Sequence, residues 1–168
     1  MSDINVDVPG FEGILKKLQE MQEGLQTNNA ILVGLPSETG TKEHPNSKLN
    51  NATIAAIHEF GAPEKNIPER SFLRAGMEQN KKTLTKATEK MLHNVLEGRI
   101  NSEQGMDIVG GLAAAGIKKY MAEGIAPPLK RPRKTGIDGL DKPLIDTGEL
   151  RASITWVLAD MDEVEEGI

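Results

Sequence analysis

The side chains of this sequence that could do chemistry are few, and their spacing limits them further. The three histidines, His44, His58 and His93, stand at no spacing that would hold a metal ion. His58 precedes Glu59, a pair that could suggest acid–base work, but adjacent residues on a helix point in different directions. His44 and His93 read as solvated, and His58 lies beside a stripe containing Ile57 and Phe60. There is no cysteine, which excludes disulfides and thiolate metal sites. Nucleophile-elbow, zinc-protease and dinucleotide fingerprints are missing. Gly111 to Gly116 has the glycine spacing of a phosphate-binding loop, yet Ile117 stands where the lysine belongs, so the spacing is coincidental. Asn51-Ala52-Thr53 matches a glycosylation acceptor but reads as a helix start. No cofactor or metal is expected.

One cluster carries a charge argument. Lys130, Arg131, Arg133 and Lys134 fall in a proline-rich stretch, residues 125–142, of a chain whose net charge is −5. Such a loop can touch phosphate or an acidic protein surface. No aromatic residue interleaves with the cations, so stacking on single strands is not expected. Contact with a partner protein leads, ahead of a solvated loop that offsets the acidic remainder and ahead of DNA contact.

The elements around these residues follow from pattern. At 168 residues and 18.2 kDa the chain is expected to form one domain, 1–168, with extensions. Its apolar fraction is 38% and its aromatic fraction 3%, low for a self-sufficient globule, so part of it should pack on copies of itself or on neighbours. The acidic start MSDINVDVPGFEG has no apolar core and is no signal peptide. The longest apolar run, residues 108–117, is too short to span a bilayer, so no membrane role is expected.

Phe11, Ile14, Leu15, Leu18, Met21 and Leu25 mark an amphipathic helix over 10–26, within an extension reaching residue 28. AILVGLP supplies a strand at 30–35, and residues 36–50 read as a loop. A short helix then starts with Asn51 as its N-cap and buries Thr53, Ala56, Ile57 and Phe60. Gly61 ends it at positive φ, and Pro63 cannot continue it. The chain should run extended through Asn66 and Ile67 into Pro68. A long helix over 71–97 should carry Leu73, Met77, Leu84, Thr88, Met91 and Val95 inward and stop at Gly98. Phe60 and Phe72 are expected to be buried where the two helices meet.

A further helix over 103–123 buries Met106, Val109, Leu112, Ala113, Gly116, Ile117 and Tyr120. Its glycines cost about 1 kcal/mol each relative to alanine, so another backbone should come close, in this fold or in a neighbouring subunit. Asp146 and Glu149 resemble a capping box opening one helical turn. A strand at 152–159 alternates Ile154, Trp156 and Leu158, and an acidic tail follows at 160–168. The fold class is α+β: a small, mostly antiparallel sheet flanked by two long helices, with an N-terminal helix and long loop extensions.

Three segments together resemble a known group. AAIHEFG, IPERSFLR and PLIDTGELRASI are similar to elements of the tail-completion and head–tail joining proteins of long-tailed bacteriophages. That group includes relatives of the lambda-type minor tail protein Z and the Mu-like virion morphogenesis proteins. It carries (I/H)-E-F-G, then I-P-x-R-P-F-L, and much later P-L-x-x-T-G-x-L-x-x-S-I. The matching positions here are Glu59, Phe60, Gly61, Pro68, Arg70, Phe72, Leu73, Pro143, Leu144, Thr147, Gly148, Leu150, Ser153 and Ile154. Ser71 departs from the pattern, where a proline is usual.

The resemblance implies a structural role without catalysis: completing or terminating the tail, or joining head to tail. It implies a ring of identical copies, expected to be a hexamer, contacting the tail tube protein and the connector or stopper proteins, with genomic DNA passing by. The protein would be assembled in the bacterial host cytoplasm and reside at the virion's head–tail junction. The main alternative is a nucleic-acid-binding regulatory protein using the basic loop 130–134. A degenerate enzyme domain is a third, for which no constellation is found.

Overall fold

The computed structural model describes residues 11–43, 48–128, 144 and 148–162. In order these form α1 (Phe11–Leu25), β1 (Asn29–Gly34), α2 (Ser37–Gly40), α3 (Asn51–Phe60), a 3-10 turn (Pro63–Lys65), α4 (Leu73–Leu96), α5 (Ser102–Glu123), α6 (Glu149–Ser153) and β2 (Thr155–Asp160). The fold is α+β, with β1 and β2 antiparallel from Asn29 opposite Asp160 to Gly34 opposite Thr155.

The centre is α5, sandwiched between α4 and the strand pair. Its N-terminus closes with a reciprocal capping box between Asn101 and Gln104. Its small residues admit neighbours on both sides, but the α5 glycines receive side chains, Trp156 at Gly110 and Asn80 at Gly116, and the backbone approach expected of this helix occurs at Gly76 of α4. A Cβ added at Gly110 would stand 2.4 Å from Trp156 Cδ1, and one at Gly76 of α4 would stand 3.2 Å from Ile117 Cα. The Trp156 indole N–H donates to Asp107 of α5 at 2.8 Å, which orients the ring over the glycines. Phe72, Ile117, Met121 and Ile154 are fully buried, and Ala55, Ala114, Ile125 and Leu150 complete the core around them.

Several expectations are corrected. The N-cap of α3 is Asn50, whose side chain accepts the Thr53 N–H at 2.8 Å. Asn51 is the first helical residue and turns inward. The buried face of α3 is Asn51, Ala55 and Glu59, while Thr53, Ala56 and Phe60 are exposed. Phe60 stands 66% exposed, against the burial expected for it. The stretch after Gly61 is no extended loop: Pro63–Lys65 forms a 3-10 turn and Asn66 is left-handed at φ 54. An isolated bridge between Ala62 and Ile67 closes that turn. On the long helices, Met77 and Leu112 face outward.

Within residues 36–50 the chain forms α2 and a bridge between Glu43 and Asn50. The turn before β2 opens at Glu149 with Gly148 at φ 80 in the N-cap position, and Asp146, expected to pair with Glu149 in a capping box, lies outside the described residues. Residues 152 and 153 belong to α6, because the Ser153 hydroxyl bonds back to the Glu149 carbonyl at 2.9 Å. Asp160 ends β2 and is not part of a tail. Of α1, the Met21–Gly24 side meets the end of α4, where Gly24 lies 3.7 Å from Val95 Cγ1 when given a Cβ. Ile14 and Leu18 stay 59% and 55% exposed.

Candidate functional site

Glu59 is the residue that joins the first motif segment to the second. Helix α4 begins at Leu73 with Phe72 in the N-cap position, and Phe72 offers no capping side chain. The first N–H groups of a helix need partners from outside it. Glu59, at the end of α3, supplies them. Its Oε2 accepts from the N–H groups of Phe72 at 2.8 Å and Leu73 at 2.9 Å. Its Oε1 accepts from the Ser71 hydroxyl at 2.7 Å, the Arg74 N–H at 3.1 Å and Arg74 Nε at 3.0 Å. The residue is 3% exposed. Burial alone pushes its carboxyl up. The bonds from Leu73, Ser71 and Arg74 outweigh burial and hold it below the ordinary carboxylate value. All of this capacity is spent on structure, so Glu59 is a helix cap supplied from another element and, with His58 half-buried beside it, forms no free acid–base pair.

The turn between the helices sets this distance. Ala62 and Ile67 exchange N–H···O bonds of 2.9 and 3.1 Å, and the Arg70 N–H reaches the His58 carbonyl at 2.7 Å. Gly61 makes the reversal at φ 76 and ψ 171, positive as expected but outside the left-handed helical region. A side chain there would place its Cβ 2.8 Å from the Glu69 nitrogen.

The third motif segment packs on α3, the helix that carries the first. Asn51 Nδ2 donates to Ser153 Oγ at 3.0 Å, and the Thr39 hydroxyl donates to the Ser153 carbonyl at 2.8 Å. Leu150 and Ile154 enter the core beside Phe72 and Ala55, with Leu73 and Leu144 packed at its edge. Leu144 itself has φ 67. The structure therefore brings together Glu59, Gly61, Arg70, Phe72, Leu73, Leu144, Gly148, Leu150, Ser153 and Ile154. Pro143, Thr147 and the cations Lys130, Arg131, Arg133 and Lys134 lie outside the described residues.

Facing outward from this unit is a cleft of about 820 Å³ whose walls include Phe60, Pro63, Pro68, Arg70, Pro127 and Pro128. Arg74 lies over the Phe60 ring at 5.2 Å and also pairs with Glu69 at 2.8 Å. Arg70 is 7% exposed. Its Nε donates to the Pro127 carbonyl at 2.8 Å and its Nη2 to the Pro128 carbonyl at 3.4 Å. Burial lowers its pKa from the ordinary guanidinium value.

Sequence reasoning missed Asn51 and Glu59 as inward-facing polar groups. No local signal pointed to Glu59, because Ser71 is a residue of capping type at the expected start of the long helix. Nothing local pointed to Asn51. Among the described residues, no cluster of His, Asp and Glu is placed to hold a metal ion, and no helix is long and apolar enough to cross a membrane.

No protein-family profile matches this chain, and no solved structure matches it. Among curated proteins, an uncharacterized protein of Methanocaldococcus jannaschii is 36% identical over 78 residues, which covers 42% of this chain. The chain spans 58% of that relative's length.

Proposed function

We propose that this chain is a virion structural protein of a long-tailed bacteriophage that works at the head–tail junction, as a tail-completion, terminator or joining protein. It acts by assembling with copies of itself, as a ring of six, and by contacting tail tube and connector or stopper proteins. The observation that carries the reading is the interlock of its motif segments. IHEFG caps the helix opened by IPERSFLR through Glu59. Asn51 is bonded to Ser153 of TGELRASI. Residues so engaged build a rigid platform, and the same platform presents Phe60 and a proline-walled cleft to the outside. The half-exposed apolar face of α1 adds a second surface suited to a neighbour.

The test is a phage lacking this protein. Its lysate should contain filled heads and polymerised tail tube that fail to join, and added purified protein should restore plaques. Normal joined virions overturn the proposal, and empty heads move the protein to an earlier step. A chain that instead shifts labelled DNA at moderate salt without self-associating would favour a nucleic-acid-binding regulator.

A further inference from the structure

Arg70 and Glu69 line the cleft, and the pairing of the two arginines and two carboxylates in this region is uneven. Glu59 and Glu69 both bind Arg74. Arg70, far more buried, is left with two backbone carbonyls and, among the described residues, no carboxylate. Carbonyl dipoles hold a guanidinium in place without neutralising it, and a buried cation gains most from an ionised partner that brings its own charge. Arg70 also lines an open cleft walled by prolines and the Phe60 ring. A chain entering there would meet apolar walls, the Glu69 carboxylate already engaged by Arg74, and a buried cation behind them.

We propose that the Arg70 cleft binds a carboxylate side chain, and that its ligand is the acidic run at residues 162–166 of a second copy of this chain. Charge complementarity selects the run: Asp162, Glu163, Glu165 and Glu166 are the densest acidic cluster in the sequence. Reach excludes the same copy. Strand β2 leaves the core at Ile154, passes Asp107 at Trp156, and ends where the Met161 N–H bonds to the Asn28 carbonyl. The cleft lies past the other end of α5, at Pro127 and Pro128. From Asp107 to Glu123 the helix rises about 24 Å, whereas five extended residues span about 17 Å. The run therefore serves the next subunit, a head-to-tail contact that closes into a ring when the rotation permits. This deepens the self-assembly part of the proposed function and rests on it only for the ligand being another copy.

The experiment uses the full-length chain and a labelled peptide of residues 161–168, MDEVEEGI, read by fluorescence anisotropy. The peptide should bind, and replacing its three glutamates by glutamine should weaken binding at least tenfold. Arg70→Gln should do the same. Because Arg70 also holds two carbonyls, that variant can lose its fold, so the decisive variant is E163Q/E165Q/E166Q, remote from the cleft. By sedimentation velocity it should self-associate at least tenfold more weakly than the parent, with unchanged circular dichroism. Unchanged self-association, equal binding of the glutamine peptide, or equal binding of a scrambled peptide of the same charge would each overturn the proposal. So would a parent chain that stays monomeric. Failure here leaves the phage-lysate result standing, and failure there leaves the peptide result standing.

Discussion

The carboxylate of Glu59 accepts the backbone N–H of Phe72 at 2.8 Å, so the last turn of α3 holds the first turn of α4. Thirteen residues separate the two in sequence, and the 3-10 turn with Gly61 closes the gap. The joint fixes the angle at which the longest helix leaves the motif unit, and with it the position of the Arg70 cleft.

Removing this cap should be felt across the fold. Glu59→Ala leaves the N–H groups of Phe72, Leu73 and Arg74 without their acceptor, at a cost of about 2–3 kcal/mol. Denaturant unfolding measures it. The pH dependence has a definite sign: the folded carboxyl titrates below its ordinary value near 4.5, so the unfolded chain binds the proton first. The contribution is whole above that value and is lost as pH falls through the folded one. In Glu59→Gln this acid-side slope should flatten.

Phe72 and Phe60 should respond oppositely to truncation. Phe72 is fully buried among Ile117, Met121 and Ile154, so Phe72→Ala should cost about 3–5 kcal/mol. Phe60→Ala removes only an exposed ring and its contact with Arg74, worth under about 1 kcal/mol. Its effect should appear instead in assembly with partners. Equal losses in the two midpoints would contradict the placement of Phe60.

Adjacent glycines of α5 offer an internal control. Gly110→Ala drives a methyl to 2.4 Å from Trp156 Cδ1, whereas at Gly111 the nearest indole atom is 3.4 Å away. The first should destabilise by about 1–3 kcal/mol through overpacking. The second should be neutral or gain up to about 1 kcal/mol from helix propensity. Thermal unfolding of the two variants checks the difference.

Reversing Lys130, Arg131, Arg133 and Lys134 to glutamate should leave the circular dichroism of the isolated chain unchanged. Assembly should weaken, and the difference from the parent should shrink as salt is raised. Intact assembly at low salt would remove this loop from the contact surface.

The α+β class, the two long helices, the stops at Gly61 and Gly98 and the alternation that makes β2 a strand were all legible in the sequence. Each depends on local physics: helical or strand periodicity, and backbone that only glycine adopts easily. The antiparallel partner of β2 and the close packing around Gly110 were also expected in outline, because small residues and short strands have few other uses.

Tertiary structure decided which face of α3 turns inward. By apolar pattern the buried side should hold Phe60. It holds Asn51 and Glu59 instead, because their partners are Ser153, 102 residues away, and the bare start of α4. A polar side chain is buried when its bonds are satisfied there, and no pattern within ten residues reveals a partner supplied by another element. The same holds for Arg70, whose charge is placed by two carbonyls 57 and 58 residues downstream.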